Sequence, residues 1–435
     1  IILGPGLQKN ISKYIRTHNN LMTTGMNRES IIKDARRMLL GNLRTGKREC
    51  DSKEFFFVCP SNQDYPFQWF WDSCLHAIAL IHIDVDMAKK ELITLLSTAH
   101  PSGFIPHITF WESEKREEFL KHSLVAMDNL AYSSTIQPPL IAYAVERVFE
   151  ATNDKRFLAD ALPILVGFYR WLRDFRDPDK DGLISIIQPE ESGIDCSPKF
   201  DDKMGMSGTL DNKTFIRQLK KLYDAYAPLR GDERSLLDSN LFHFEDVLVN
   251  SIYVQGLRSL IRMLGDSPLV DEFVRDARKC TDALIGKCWD EEMETFFDLS
   301  GVEENPVKIV TVSCLMPLII EDLPEDIVRK TVERYLLSPE HFWLKYPIPS
   351  VSVSEEKFFS GDPHGFIWRG PTWLNINWFL SRGLRSHGYH EIADRIASTS
   401  YKLVERAGFR EYYNPHTGAG YGARDFGWSS IILDM

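Results

Sequence analysis

Apolar residues along this chain recur at spacings of three and four far more than in strict alternation, the pattern of helices with one buried stripe. Ala88, Leu92, Leu95, Leu96 and Ala99 form one stripe, and Ile141, Ala144, Val145 and Val148 form another directly after the Pro138-Pro139 start signal. The same pattern predicts helices over roughly 28–41, 72–83, 164–175, 210–226, 246–264, 269–286, 306–319, 324–336, 371–384, 389–406 and 427 to the end. That is about a dozen helices, with few strand-like alternations. Between them, aromatic, Gly, Pro and acidic residues collect in 59–71, 101–112, 187–208, 337–370 and 408–427. A helical scaffold with its working residues on connecting loops is the expectation. No Ser-rich or Pro-rich linker divides the chain, so one domain over 1–435 is the simplest organisation.

Composition narrows the classes. The 435 residues are 43% apolar and 26% charged, ordinary for a soluble globular protein, and the net charge of -11 argues against nucleic acid as a partner. Basic runs such as Lys220-Lys221 are too short to change that. Seven cysteines, at 50, 59, 74, 196, 280, 288 and 314, are odd in number and lack CxxC spacing, which suits thiols in a reducing cytoplasm. No run approaches eighteen apolar residues, so no membrane span is expected. The start Ile1-Ile2-Leu3-Gly4-Pro5-Gly6 lacks the character of a signal peptide, although the missing Met leaves a removed leader open.

The candidate chemistry sits in the loops. Asp195 in Glu190-Glu191-Ser192-Gly193-Ile194-Asp195-Cys196-Ser197-Pro198 and Glu411 in Arg410-Glu411-Tyr412-Tyr413-Asn414-Pro415 are two carboxylates framed by aromatic neighbourhoods. Cleaving a glycosidic bond needs one carboxylic acid to protonate the departing oxygen and a second carboxylate across the sugar, with aromatic rings to hold it. In Tyr65-Pro66-Phe67-Gln68-Trp69-Phe70-Trp71-Asp72-Ser73 two indoles flank a carboxylate at a helix start. Asp72 there either caps the helix or grips sugar hydroxyls while a ring stacks on the indoles. His107 and Gln137 each offer one polar group at a helix entry, and Trp368-Arg369-Gly370-Pro371-Thr372-Trp373 brings Arg and two Trp to another.

Several chemistries lack support. Asp177, Asp179, Asp181 and Gly182 mimic the start of a calcium loop, but Gln188 stands where a bidentate Glu must close it, so a solvated Asp-rich turn is expected. HExxH, zinc-spaced Cys and His, GxxxxGK[ST] and GxSxG are all missing. No metal and no cofactor is expected.

Taken together, Trp69-Phe70-Trp71-Asp72, Gly103-Phe104-Ile105-Pro106-His107, Gln137-Pro138-Pro139, Glu191-Ser192-Gly193-Ile194-Asp195, Trp368-Arg369-Gly370-Pro371-Thr372-Trp373, Glu411-Tyr412-Tyr413 and Phe426-Gly427-Trp428 resemble family 63 of the glycoside hydrolases. Within it the likeness is greatest to the short mannosylglycerate and glucosylglycerate hydrolases; family 37 trehalases share a looser version. It runs from about residue 60 onward and leaves roughly the first 25 residues outside as an extension. The resemblance implies an all-α (α/α)6 barrel and hydrolysis with inversion, with Asp195 as general acid and Glu411 as general base. It also places Tyr65, Trp69, Trp71, Asp72, His107, Gln137, Gly193, Trp368, Arg369 and Trp373 around the sugar. Cys196 and Phe70 depart from the residues common at those positions in the family.

The roles carry electrostatic requirements. Asp195 must hold a proton near neutrality, which burial or facing Glu190 and Glu191 would favour, and Glu411 must stay ionised, which Arg410 would favour. Inversion requires carboxyl groups about 6.5 to 9.5 Å apart. The expected substrate is a small soluble α-glucoside or α-mannoside such as glucosylglycerate or mannosylglycerate. A glycerate leaving group calls for a cationic or multidentate clamp, with Arg369, Arg410 and Arg424 as candidates. Two rivals stand beside this reading: an exo-α-glucosidase or trehalase-like enzyme on oligosaccharides, and a helical barrel that binds sugar without cleaving it.

Overall fold

A computed structural model describes residues 28–49, 51–120, 131–206, 210–229 and 232–435, so the extension expected over the first 25 residues lies outside it. Among the described residues, six helical segments follow one another around a closed ring: Phe70–Leu80, Ile141–Thr152, Val247–Leu264, Val312–Ile319, Leu374–Ser386 and Gly427–Asp434. Each packs on the next, and Gly427–Asp434 returns to Phe70–Leu80. Outside the ring run Val85–Leu96, Lys155–Arg176, Val270–Ala283, Glu325–Thr331 and His390–Ala407, and Arg28–Gly41 covers Gly427–Asp434. This is the (α/α)6 barrel.

Sequence explains which helix goes where. Every residue of Phe70–Leu80 and of Val312–Ile319 is buried; both are mainly apolar, with Asp72, Ser73, His76 and Ser313 as the polar residues they bury. His390–Ala407 is amphipathic instead and buries one stripe, including Ile392, Ile396, Leu403 and Val404. One side chain locks the closure. The Asp434 side chain, 2% exposed, accepts from Arg147 at 2.9 Å, Trp378 Nε1 at 2.9 Å, Arg382 at 3.1 Å and His82 at 3.0 Å, tying three ring helices together.

Some boundaries differ from the periodicity. Lys155–Arg176 starts nine residues before the predicted 164, capped by Asp154, whose carboxylate accepts from Arg156 and Phe157; Pro163 lies inside it. The predicted 306–319 helix begins at Val312, because Asn305–Val307 pairs with Asp298–Ser300 as a sheet edge, where Pro306 costs no ladder bond. Helix Phe70–Leu80 starts at 70 with Trp69 as its cap residue. Asp72 is therefore inside the first turn and not the cap.

Short antiparallel strands stiffen the loops. Gln68–Trp69 pairs with Ile108–Thr109, and Arg410–Tyr413 pairs with Gly420–Arg424. Ser185–Ile186 lies at one edge of a four-stranded sheet with Phe244–Glu245, Asp298–Ser300 and Asn305–Val307. These pairings hold the chain just before Asp72, Asp195 and their neighbours. No helix among the described residues is long and apolar enough to cross a membrane. The six described cysteines are buried free thiols; Cys50 lies outside the described residues.

Candidate active site

One cavity of about 280 Å³ opens at the mouth of the ring, lined by Asp195 and Glu411 together with Tyr65, Trp69, Trp71, Asp72, His107, Gln137, Gly193, Trp368 and Trp373. Of the residues expected around a sugar, Arg369 alone does not line it. Its guanidinium pairs with Asp201, Nη1 to Oδ2 at 2.9 Å, and lies 4.0 Å over the Phe366 ring. Lys357 reaches the same Asp201. Arg369 thus fixes the loop that presents Trp368.

Glu411 is held by two donors. Tyr65 Oη donates to its Oε1 at 3.2 Å and the Ala423 backbone N–H to its Oε2 at 2.8 Å. The second contact depends on Gly422, at φ 61°, where a Cβ would stand 2.4 Å from Oε2. Burial raises the Glu411 carboxyl to about 7; the Ala423 and Tyr65 bonds oppose that rise, and the charges of Asp64 and Asp195 add to it. The Arg410 guanidinium turns instead to the carbonyls of Gly422 and Ala423. Neighbours on a strand point to opposite faces, so Arg410 and Glu411 diverge.

Asp195 sits between two short helical turns, Pro189–Ser192 and Pro198–Phe200. Gly193, at φ 72°, makes the reversal between them, and a Cβ there would lie 2.6 Å from the Trp71 ring. Burial raises the Asp195 carboxyl to about 7. Its two acidic neighbours divide differently from the expectation that both repel it. Glu191 turns away, fully buried against Arg176 in a two-point pair at 2.7 and 2.8 Å, and also accepts from the Ile136 and Ile187 amides. Glu190 lines the cavity, with Tyr223 Oη donating to it at 2.8 Å, and is pushed up to about 8 by burial and then by the charge of Asp195.

Aromatic walls surround these carboxyls. Trp368 stacks on Trp373 at 3.6 Å and 7°, held in a left-handed backbone conformation at φ 63° that few non-glycine residues adopt. Trp428 meets Trp71 edge-on at 5.3 Å. The indole N–H groups of Trp373 and Trp428 are buried without a partner among the described residues, as is His107 Nε2. His107 is neutral, since burial lowers it to about 3. Gln137 Oε1 accepts from the Trp71 amide at 2.9 Å, which closes the open end of helix Phe70–Leu80 and orients the carboxamide. Asp72 is pushed well above the usual carboxylate range by burial and by Glu411 and Asp195.

Two carboxyls, Glu411 buried and Asp195 half-buried, share one small cavity with polar donors and indoles, the residue types that glycoside cleavage uses. A family model for the mannosylglycerate hydrolase MGH1-like glycoside hydrolase domain matches residues 65–429. The chain belongs to this glycoside hydrolase family. A mannosylglycerate hydrolase of Thermus thermophilus is 30% identical over 412 residues, covering 86% of this chain and 95% of that protein. The glucosylglycerate hydrolase of Mycolicibacterium hassiacum is 28% identical over 413 residues, 85% of this chain and 92% of its own. The crystal structure of a family 63 mannosylglycerate hydrolase from a second Thermus thermophilus strain, in complex with glucose, has a TM-score of 0.79 at 26% identity, covering 93% of this chain and 99% of that one.

In this glycoside hydrolase the outer wall of the cavity comes from residues that the sequence did not single out. Asn212, Phe215, Ile216 and Leu219 belong to helix Asn212–Tyr226, and Gly365 and Ile367 to the 337–370 segment. Trp428, named in the resemblance but not as a sugar contact, also lines the cavity. The amphipathic period predicted a helix over 210–226; which stripe faces the site depends on the ring around it. Cys196 lines the cavity too, whereas Phe70 packs in the core against Phe168. Among the described lining residues there is no lysine or arginine. Arg410 binds main-chain carbonyls and Arg424 is exposed on its strand, so none of the three arginine candidates reaches the cavity.

Proposed function

We propose that the chain hydrolyses small α-glycosides of the mannosylglycerate and glucosylglycerate type with inversion, Asp195 serving as general acid and Glu411 as general base. The observation that carries this reading is the pair itself. Both carboxyls line one cavity and burial raises each to about 7, so near neutral pH one of them can carry a proton while the other is ionised. Protonated Asp195 donates to the departing glycosidic oxygen. Ionised Glu411, oriented by Tyr65 and Ala423, takes a proton from the water that attacks the anomeric carbon from the opposite face.

The remaining groups fit a pyranose. Stacked Trp368 and Trp373 offer a ring face, and His107 Nε2 with the Trp373 and Trp428 indole N–H groups supplies fixed polar partners for hydroxyls. Asp72 and Gln137, which also line the cavity, add further polar groups. The cavity of about 280 Å³ lies just below the usual range of ligand sites, about 300 to 1,000 Å³, which favours a compact glycoside over a longer glycan. That is the argument against the oligosaccharide rival. The protein acts as one domain, free in the cytoplasm, on a substrate that carries its own solubility.

Incubation with a panel of α-linked disaccharides, α-mannosylglycerate, α-glucosylglycerate and neutral α-glycosides, followed by proton NMR of the first anomer released, tests this directly. Release of the β-anomer from a glycosylglycerate is the expected result. First release of the α-anomer rejects inversion, and turnover confined to oligosaccharides rejects the substrate class.

A further inference from the structure

A second group of carboxylates lies on the turn that leads into the Asp195 segment. Asp177, Asp179, Asp181 and Gly182 open it with calcium-loop spacing, and Gln188 fails to close it. The fold supplies what the local sequence omits. Ser185–Ile186 pairs with Phe244–Glu245, which pairs with Asp298–Ser300, and Glu304 lies in the turn running to Asn305–Val307. One carboxylate oxygen from each of Asp179, Asp181, Glu245 and Glu304 comes together, all within 4.8 Å of one another. The solvated turn expected from sequence is thus folded against buried acid.

Glu245 makes this more than a gathering of surface charge. It is 2% exposed, and its Oε2 has no hydrogen-bond partner among the described residues. A buried carboxylate oxygen without a donor is costly unless a cation or donor occupies the space it faces. The positive group at hand is Lys287, with Nζ 2.6 Å from Asp181 and 2.7 Å from Glu304. It answers two of the four acids, and its side chain is 34% exposed, so it can turn out to water.

We propose that Asp179, Asp181, Glu245 and Glu304 form a binding site for a hard divalent cation of the calcium class, with the Lys287 ammonium as the exchangeable counter-ion that the cation displaces. The donors are all oxygen, come from three separate segments and carry high negative charge, which suits calcium with its flexible coordination of about six to eight oxygens. A bound cation ties the Asp177–Gly182 turn to the strand Phe244–Glu245 and to the turn at Glu304. It thereby braces the sheet from which the chain runs on to Asp195.

The test is calorimetric titration of the chelator-treated full chain with calcium chloride, and with magnesium chloride in parallel. The expected result is a saturable heat at one calcium per chain. Binding weakens by about tenfold or more in Glu245→Gln, and tightens by about tenfold in Lys287→Met as a competing charge-assisted contact is removed. Glu304→Gln, at the rim of the cluster, repeats the weakening if the buried variant folds poorly. No saturable calcium heat in either the wild type or Lys287→Met overturns the site. Calcium affinity unchanged by Glu245→Gln and Glu304→Gln overturns it equally, and magnesium binding as tightly as calcium overturns the assigned class.

Discussion

Tyr65→Phe isolates the base from the rest of the site. The substitution keeps the ring that meets Trp69 and Phe426 edge-on and deletes the Oη that donates to Glu411 at 3.2 Å. A hydrogen bond to a charged group contributes about 1.5 to 3 kcal/mol, and its length here points to the lower figure. At 1.36 kcal/mol per pH unit, losing about 1.5 kcal/mol of stabilisation of the carboxylate raises the Glu411 pKa by about one unit. With the proposed roles, Glu411 ionised as base and Asp195 protonated as acid, both near pH 7, the wild-type kcat/KM profile is expected to be bell-shaped around that pH. In Tyr65→Phe the acid limb moves up by about one unit, and kcat/KM at pH 6 falls by about tenfold. The alkaline limb stays within a few tenths of a unit, because Tyr65 donates to Glu411 and not to Asp195. Initial rates of hexose release between pH 5 and 9 measure this, and the limb position separates loss of the bond from loss of substrate contact. An acid limb that stays in place while the overall rate falls refutes the assignment of Glu411 as the ionising base.

Three further outcomes follow from named contacts. Asp195→Asn and Glu411→Gln each lower kcat by about 10² to 10⁴; Glu411→Gln folds normally and gains stability at pH 8, by no more than about 3 kcal/mol, measured by urea denaturation. The sign holds because the folded pKa is raised from 4.5 to about 7, so this carboxyl's contribution is full below about 4.5 and lost as pH rises through about 7. Arg369→Met removes one partner of the buried Asp201 and lowers stability by about 3 kcal/mol, with KM changed less than threefold in protein that remains folded; a large KM rise without destabilisation assigns Arg369 to the substrate instead. Gly193→Ala drives a methyl into the Trp71 ring at a position with φ 72°, so both thermal stability and kcat fall; retention of both removes Gly193 from the site's construction.

Much of the site was legible because its residues stand in frames whose local geometry is fixed: glycine before Asp195, a tyrosine pair after Glu411, indoles before Asp72. What was not legible is direction. Arg410 beside Glu411 reads as an ion-pair partner in one dimension and diverges from it on a strand. Glu190 and Glu191 read as equals, yet Arg176 claims Glu191 while Glu190 faces the cavity, a division made by a helix that ends at residue 176. Arg369 in an aromatic mouth reads as a sugar contact, and a partner 168 positions away turns it into a buttress. The helix count was accessible from period alone. The closure of six helices into a ring was reached through resemblance, because no local signal states which helix meets which.

Ring closure also orders events in time. Tyr65 and Glu411 are separated by 346 positions, and the segment carrying Glu411 runs directly into Gly427–Asp434, which seals the ring against Phe70–Leu80. During synthesis at about 5 to 20 residues per second, roughly 20 to 70 s pass between the appearance of the two residues. Over that interval a growing chain comes to carry Trp69, Trp71, Asp72 and then Asp195 but has neither Glu411 nor a closed wall to exclude water. The complete cavity therefore forms only when the last ring helix closes against the first.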